Sequence, residues 1–257
     1  MSTRFRALVL CYHAVSDSWL DQLSVPPLLF EDHLRSLLRR GYRPVSVAEA
    51  LVGRSRSLHV TFDDAYTSVA NAVPILERLA IPSTVFACAA YAEDGRPLDV
   101  PELAAEAAAY PSELATMNWS ELGELAERGV EIGSHTSKHP HLTRLSDREL
   151  GNELLDSRSR LEAVLARPCR FLAYPYGEND ARVRLAARRA GYEAAFALRE
   201  RSDVLDRYAV PRVDLYRKDS LLRARLKTSL LPRVRPGVLG VLRPFRSSRR
   251  RPDAAGP

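Results

Sequence analysis

The sequence predicts an α/β fold built on a parallel β-sheet, either open or closed into a barrel. Short apolar segments of strand length alternate along the chain with longer segments whose apolar residues recur at helical spacing. Such alternation is typical of parallel sheets, because each crossover helix packs back onto a face of the sheet. The chain has 257 residues, a length at which α/β barrels often form one domain. In either form we expect the functional site at the carboxyl ends of the strands.

Individual elements follow from apolar spacing, caps and breakers. Segment 30–40 has apolar residues at helical spacing and is followed by Gly41, and segment 146–165 opens with Ser146 and Glu149 in a capping-box pattern. Residues 45–51 are predicted as a short strand passing into a short helix, and residues 92–117 as an insertion with a little helix. The predicted strands are 6–13, 58–62, 83–89, 130–134, 170–174, 192–198 and 209–215, and the other predicted helices are 67–79, 120–127 and 180–189.

The composition is that of an ordinary globular protein, with 46% hydrophobic and 27% charged residues. Three cysteines, Cys11, Cys88 and Cys169, form no CxxC pair and lie in apolar stretches, so we expect buried, reduced thiols. The apolar run near the N-terminus is too short for a signal peptide, and no run approaches the length of a membrane span. We therefore expect a cytoplasmic location.

Basic residues concentrate in the last part of the chain. Residues 217–257 hold 12 of the 38 Lys and Arg residues but only two of the 32 acidic residues. We predict a folded domain over residues 1–216, with a net charge of about −4, and a basic tail over 217–257 that is helical over 221–231 and disordered beyond. Basic tails are nonspecific: this one is either free in solvent, docked on anionic lipid at the inner face of the membrane, or bound to nucleic acid, the least favoured option.

Asp63 and Asp64 form the most informative pair in the sequence. They follow the predicted strand 58–62, where a charge is costly unless something pairs with it. Neighbouring side chains of a strand point to opposite faces, so both carboxylates reach one site only if the strand breaks into a loop there. One carboxylate would then bind a metal while the other moves a proton. The alternative is a strand that ends in an Asx turn.

Two histidines, His135 and His139, follow the predicted strand 130–134. With this spacing they can face the same side of one turn and bind one metal ion. An isolated HxxxH is weak evidence, but a carboxylate pair at another strand end strengthens it. Two histidines and one aspartate leave positions open for water and substrate, as in catalytic metal sites. His141 is interpreted as a loop or capping residue.

Two more clusters lie at predicted strand ends. Tyr174-Pro175-Tyr176-Gly177 is predicted to form a tight turn whose backbone N–H groups stabilise an oxyanion, unless it is a plain strand-to-helix loop. His13 ends the first strand. It is either a satisfied core residue or, beside a metal, a general acid, because imidazole exchanges a proton near neutral pH.

Together these residues resemble the polysaccharide deacetylase family, also known as carbohydrate esterase family 4 or the NodB-homology domain. The resemblance runs from about residue 6 to residue 215, and its three motifs are similar to 61–65 (TFDDA), 135–139 (HTSKH) and 173–177 (AYPYG). Segments 81–86 and 118–122 also look like the family. The resemblance implies a distorted (β/α) barrel of about seven parallel strands, related to the TIM barrel.

The resemblance also implies roles for the motif residues. A divalent metal, usually zinc and in some members cobalt or nickel, is held by Asp64, His135 and His139. Asp63 becomes the general base that takes a proton from water. These roles imply a metal-dependent hydrolase.

The third motif implies a turn that contacts substrate through Tyr174 and Pro175 and places the backbone N–H of Tyr176 at the oxyanion. The implied reaction removes N-acetyl groups from an amino sugar in a glycan or glycoconjugate. The alternative is a catalytically silent fold that binds glycans or a partner. With a cytoplasmic location, a lipid-linked, nucleotide-linked or small glycoside is the more plausible substrate, and the sequence leaves the oligomeric state open.

The chain departs from the common family pattern at three points. No histidine follows His141, whereas many members carry a late catalytic histidine, so we assign the acid to His13 in a permuted arrangement. Ala173 stands where many members have an arginine that pairs with the base, and we hypothesise that Arg212 in a later strand replaces it. A purely structural strand arginine is the equal alternative. Ala65 replaces a glycine, which adds strain if that position needs φ > 0.

Overall fold

A computed structural model describes residues 7–52, 55–198 and 206–229 of the chain. Its strands are β1 (Leu8–Tyr12), β2 (Arg43–Pro44), β3 (Ser57–Phe62), β4 (Ser83–Ala87), β5 (Glu131–Ser134), β6 (Phe171–Ala173), β7 (Ala194–Leu198) and β8 (Val210–Asp214). Its α-helices are α1 (Pro27–Arg39), α2 (Val47–Val52), α3 (Val73–Arg78), α4 (Ala104–Ala109), α5 (Trp119–Glu127), α6 (Asp147–Leu165), α7 (Ala181–Arg189) and α8 (Leu221–Ser229).

Seven strands of the described chain close into a parallel barrel. Their order is β1-β8-β7-β6-β5-β4-β3, and β1 pairs with β3 to complete the ring. The two residues of β2 add to the start of β3. This confirms the predicted fold class and decides between its two forms, because an open sheet would leave β1 and β3 unpaired with each other.

Alternate residues of the strands face the inside and the outside of the barrel. On β1, Leu8 and Tyr12 belong to the outer core, where the Tyr12 ring meets Phe30 of α1 edge-on with 4.9 Å between centroids. Val9 belongs to the inner core. A Cβ added at Gly133 of β5 would lie 2.5 Å from the Phe86 ring, so the barrel interior admits only glycine there.

Two helices begin where proline allows it. α1 starts at Pro27, earlier than its apolar spacing predicts, because proline has no N–H to leave unpaired in a first turn. The helix predicted over 67–79 is divided into a 3-10 turn at Thr67–Asn71 and α3, with Pro74 in the first turn of α3. Both changes move helix boundaries and leave the order of elements as predicted.

The insertion predicted at residues 92–117 lies over the carboxyl end of the barrel. It contains a 3-10 turn at Pro101–Leu103 followed by α4, and Tyr66 and Thr116 form a bridge at its base. Its apolar residues pack with Trp19 and Tyr66 into a separate small core. The insertion therefore forms one wall above the strand ends.

Helix α8 packs on α1, although residues 217–229 were predicted as part of the tail. Arg40 donates hydrogen bonds of 2.7 Å to the side chains of Thr228 and Ser229, and Nζ of Lys227 lies 2.6 Å from the buried carboxylate of Asp219. The predictions for residues 230–257 lie outside the described residues. Among the described helices, none combines the length and the apolar character that crossing a membrane requires.

Candidate active site

The chain leaves β3 through two residues in the left-handed region. Asp64 has φ of 68° and Ala65 has φ of 51°. Thr61 and Asp63 face the barrel interior, and the turn that follows brings the neighbouring Asp64 to the same end of the barrel. Both carboxylates are buried, at 4% and 3% exposure. The structure therefore has the loop at the end of β3 that the use of both side chains in one site requires.

Asp63 is held by a fully buried guanidinium. Arg212 of β8 donates from Nη1 to Oδ1 at 2.6 Å and from Nη2 to Oδ2 at 2.7 Å, a bidentate pair. Nη1 also donates to the hydroxyl of Thr61 at 3.1 Å, and the Cys11 thiol donates to Oδ2 at 3.4 Å. Arg212 thus pairs with the predicted base, a contact that Ala173 cannot make.

The charge state of Asp63 follows from these contacts. Burial raises the pKa of its carboxyl, but the Arg212 guanidinium and His135 outweigh burial and lower the pKa to about 2. The pKa of Arg212 is raised, because the attraction of Asp63 outweighs its own burial. Asp63 is therefore an anion at neutral pH, fixed in one orientation.

Asp64, His135 and His139 converge in a second cluster. Oδ1 of Asp64 lies 3.4 Å from Nε2 of each histidine. Within the described chain this buried oxygen has no partner of hydrogen-bond geometry. Ligand atoms about 2.0–2.1 Å from a tetrahedral zinc ion stand about 3.3 Å apart, so the three groups fit one ion.

The two histidines direct Nε2 at this cluster. Nδ1 of His135 lies 2.9 Å from the carbonyl oxygen of Ala173, to which it must donate its proton, so Nε2 is the atom that faces Asp64. Burial lowers the pKa of His135, but the attraction of the Asp63 and Asp64 carboxylates outweighs burial and raises it. Burial lowers the pKa of His139 to about 4, against the opposing attraction of Asp64. Deprotonated imidazole is the form that binds a metal. The donor set of two imidazoles and one carboxylate suits zinc, and also cobalt or nickel.

The site loops store backbone strain. Among the described residues, eight non-glycine residues have positive φ, and five of them lie in the three loops that carry the site. Those five are Asp64, Ala65, Thr136, His139 and Tyr176. Such conformations cost about 1–3 kcal/mol each and persist only where the surroundings enforce them.

Tyr176 forms a wall of the site together with the insertion. Its ring stacks on His141 with centroids 4.0 Å apart and lies edge-on to His139 at 4.7 Å. Its hydroxyl donates to Glu102 at 2.9 Å, and His141 bridges Glu102 and Glu178 at 3.2 and 3.0 Å. Sequence reasoning missed Glu102, because nothing in its Ala- and Glu-rich segment sets it apart from solvated acids.

Tyr174 and Pro175, predicted to contact substrate, are both buried. The Tyr174 ring lies in the outer core, and its hydroxyl donates to the carbonyl oxygen of Tyr208 at 2.8 Å. We therefore correct the prediction for the Tyr174 side chain to a structural role. The reason is the alternation of β6, which turns Ala173 inward and its neighbour outward.

His13 lies beside Asp63 at the end of β1. A ring nitrogen of His13, the Cys11 sulfur and a carboxylate oxygen of Asp63 lie within 4.8 Å of one another. Nδ1 of His13 is buried and has no partner among the described residues, and its ring stacks at 6.5 Å on Tyr216. The structure thus brings the predicted acid close to the predicted base.

Comparison with known proteins gives one family and one fold. A family model described as polysaccharide deacetylase matches residues 52–195. This range contains Asp63, Asp64, His135 and His139, whereas His13 and Arg212 lie outside it. The putative polysaccharide deacetylase YxkH of Bacillus subtilis is 24% identical over 193 residues, which cover 72% of this chain and 62% of that protein.

Two solved structures have a similar fold. The deacetylase PplD of Streptococcus pyogenes, in complex with acetate, is 21% identical with a TM-score of 0.71 and covers 88% of this chain and 99% of its own. IcaB from Ammonifex degensii is 24% identical with a TM-score of 0.71 and covers 88% of this chain and 98% of its own. At these identities the likeness shows the barrel fold alone.

Proposed function

This chain belongs to the polysaccharide deacetylase family, and on that premise we propose that it is a metal-dependent hydrolase that removes N-acetyl groups from an amino sugar in a glycan or glycoconjugate. One observation carries the proposal. A buried carboxylate held by a guanidinium, Asp63 with Arg212, stands beside a cluster of metal-binding type formed by Asp64, His135 and His139. A general base next to a metal site is the arrangement that amide hydrolysis by water requires.

Asp64, His135 and His139 would hold the metal. When bound, a divalent ion such as zinc supplies Lewis-acid polarisation of the acetyl carbonyl and acidifies a water molecule. The protein contributes the Nε2 atoms of His135 and His139, the orienting bond from His135 to the Ala173 carbonyl, and burial that keeps bulk water away. Cobalt and nickel remain alternatives for the same donor set.

Asp63 would act as the general base. It is anionic at neutral pH and takes the proton of the attacking water, while Arg212 keeps the carboxylate oriented. A carboxylate with a pKa of about 2 is a weak base, so the reaction needs an acidified water. This dependence is one reason to expect that activity requires the metal.

His13 would act as the general acid. It lies close to Asp63 and is half-buried, so a ring nitrogen can reach the leaving group. Its proton passes to the amine nitrogen as the C–N bond breaks, and acetate and the free amino sugar leave. We propose the backbone N–H of Tyr176 as a donor to the oxyanion, supported by the strained turn that presents this residue beside His139.

Acetate release from acetylated amino sugars tests the proposal. We expect Asp63→Asn to lower the rate by about 10²–10⁴-fold, the usual contribution of a general base. Chelation should abolish the activity, and added zinc should restore it in the wild type. Asp94→Asn is the matched control, because this exposed aspartate pairs only with Arg96 among the described residues. Acetate release that survives both Asp63→Asn and chelation contradicts the mechanism, and glycan binding without acetate release favours a silent binding module.

A further inference from the structure

We infer that Cys11, His13 and Asp63 form a second metal site, which takes a thiophilic divalent ion such as Zn²⁺ and blocks the reaction when it is filled. The site itself follows from geometry alone. Its inhibitory effect rests on the proposed function, because Asp63 and His13 are the proposed base and acid. The site shares no ligand with Asp64, His135 and His139.

Strand register creates the cluster. β1 pairs in parallel with β3 so that Cys11 stands opposite Thr61, and the N–H of Asp63 donates to the carbonyl oxygen of Tyr12 at 2.9 Å. Cys11 lies on the inward face of β1 and His13 follows two residues later, directly after the strand, so both side chains can reach the Asp63 carboxylate. Three different ligand types therefore meet at one point of the barrel.

The distances suit a metal ion. The Cys11 sulfur lies 3.4 Å from Oδ2 of Asp63, and the three ligand atoms lie within 4.8 Å of one another. A tetrahedral zinc ion with sulfur at about 2.3 Å and oxygen at about 2.0 Å holds these two atoms about 3.5 Å apart. A ring nitrogen of His13 is the third ligand atom, and Nδ1 of this residue is buried without a partner in the described chain.

The site also offers the ion two negative charges. The thiol proton, now donated to Asp63, is released to solvent when the ion binds, so a thiolate and a carboxylate face the ion, with the Arg212 guanidinium as a neighbouring cation. Arg212 can keep its bond to Oδ1 of Asp63 at 2.6 Å, since ligating carboxylates are commonly hydrogen-bonded by a neighbour. The guanidinium then orients a metal ligand and no longer a base.

A metal ion bound at this second site would take both proposed proton-transfer groups, Asp63 and His13, out of the reaction at once. The ion takes the lone pair with which Asp63 would accept a proton from water. It also occupies the His13 nitrogen that would carry the proton to the leaving amine. The sulfur ligand distinguishes this site from Asp64, His135 and His139, which supply only nitrogen and oxygen and so tolerate harder metals.

Cobalt titration of the full chain tests the site without measuring activity. Thiolate ligation of Co²⁺ gives a near-ultraviolet charge-transfer band, which the nitrogen and oxygen ligands of the first site cannot produce. We expect the band to appear with the second equivalent of Co²⁺ in the wild type and to be absent in Cys11→Ser. Cys88→Ser is the matched control: Cys88 is also buried, and its thiol donates to the His135 carbonyl at 3.3 Å, but it belongs to neither ligand group.

Inhibition is measured on the same proteins. Excess zinc should inhibit the wild type and Cys88→Ser, and the inhibiting concentration should rise about tenfold or more in Cys11→Ser, because a hydroxyl binds a soft metal poorly. If Cys11→Ser does not fold, His13→Gln at the strand end should weaken the band and leave Cys11 in place. A wild type without the band, or a band that Cys11→Ser retains, overturns the site, whatever the acetate assay shows. A band without zinc inhibition overturns the inhibitory effect alone.

Discussion

At the scale of residues, Asp63 and Arg212 form a buried, bidentate ion pair. Arg212 is fully buried, and its side chain spans the barrel interior from β8 to the Asp63 carboxylate beyond β3. Removing a charge from water costs several kcal/mol, which is offset only by a partner with good geometry. The bidentate contact, the Thr61 hydroxyl and the face of Phe86, 5.4 Å from the guanidinium carbon, supply that environment.

Removal of one partner should therefore destabilise the fold strongly. We expect Arg212→Met to lower the free energy of unfolding by about 3–5 kcal/mol, because it leaves the Asp63 carboxylate buried and unpaired. The double variant Asp63→Asn with Arg212→Met should lose less than the sum of the single variants, since no charge is left uncompensated. Urea unfolding of the four proteins measures this coupling. Strictly additive losses would show that the pair does not stabilise the fold.

His59 should make stability depend on pH. Its ring is buried inside the barrel between the Val45 carbonyl and the Thr84 hydroxyl, both at 2.9 Å, and burial lowers its pKa from 6.5 to about 4. The unfolded chain binds a proton on this residue near pH 6.5, whereas the folded chain does not until about pH 4. The contribution is therefore fully present above pH 6.5 and is lost as the pH falls to about 4, by about 3 kcal/mol in total.

Unfolding of wild type and His59→Gln at pH 7 and pH 4.5 checks this expectation. The variant should be less stable at pH 7, because its side chain fits the two hydrogen bonds less well, but it should lose less stability on acidification. An equal loss in both proteins would show that His59 does not cause the pH dependence.

At the scale of elements, the residues with strained, left-handed backbone are concentrated in the loops that carry the site. The carboxyl end of helix α6 shows the same backbone state without a functional demand: the helix ends at Ala166 with φ of 49°, an exposed left-handed position that usually carries glycine. An alanine there costs about 1–2 kcal/mol in backbone strain.

Ala166→Gly should therefore stabilise the protein by about 0.5–1 kcal/mol, the relief of strain less the added flexibility of the unfolded chain. Ala163→Gly is the matched control, since Ala163 is exposed in the same helix and should lose about 1 kcal/mol. Thermal unfolding measures both. Changes of the same sign would contradict the role assigned to the left-handed position.

At the scale of the whole molecule, the fold extends beyond the boundary that charge suggested. Asp219 of the segment that leads into α8 accepts a hydrogen bond from His33 at its carbonyl oxygen, at 2.7 Å, and Ala224 and Thr228 are buried on the helix that packs on α1. A chain ending at residue 229 should therefore unfold like the full protein. A chain ending at residue 216 should be less stable by about 2 kcal/mol or more, since each lost buried hydrogen bond contributes about 1 kcal/mol.

Urea unfolding of the two shortened chains and the full protein measures the difference. Equal stability of the chains ending at 216 and 229 would place the domain boundary at 216, as the charge distribution suggested.

The basic segment after α8 is proposed to contact anionic lipid. Leu222 and Leu226 of α8 are exposed by 68% and 54%, and the following residues 230–257 contain seven arginines and one aspartate. Each basic charge near an anionic membrane contributes about 1 kcal/mol. We expect the full chain to co-sediment with anionic vesicles at low salt, less so at high salt, and the chain ending at 229 to bind weakly. Equal binding by both chains would remove this proposal.

The sequence alone was sufficient to predict the α/β class, the order of the elements and the two motifs expected to bind a metal. The reason is that these features are local: apolar periodicity reports which face of an element is buried, and the HxxxH spacing lies within one turn. The pair of Asp63 and Asp64 was recognisable for the same reason, because both follow directly from the end of one strand.

The contacts between these motifs and residues distant in the sequence could not be predicted, because they depend on closure of the barrel. Arg212 is 149 residues from Asp63 in the chain, and only closure of the ring through β1, with β8 and β3 on either side of it, brings the guanidinium across to the carboxylate. Glu102 reaches Tyr176 over 74 residues from an insertion without a distinguishing pattern. Contacts of this kind depend on strand register and closure, which are set by the packing of the whole chain and are not encoded in any short segment.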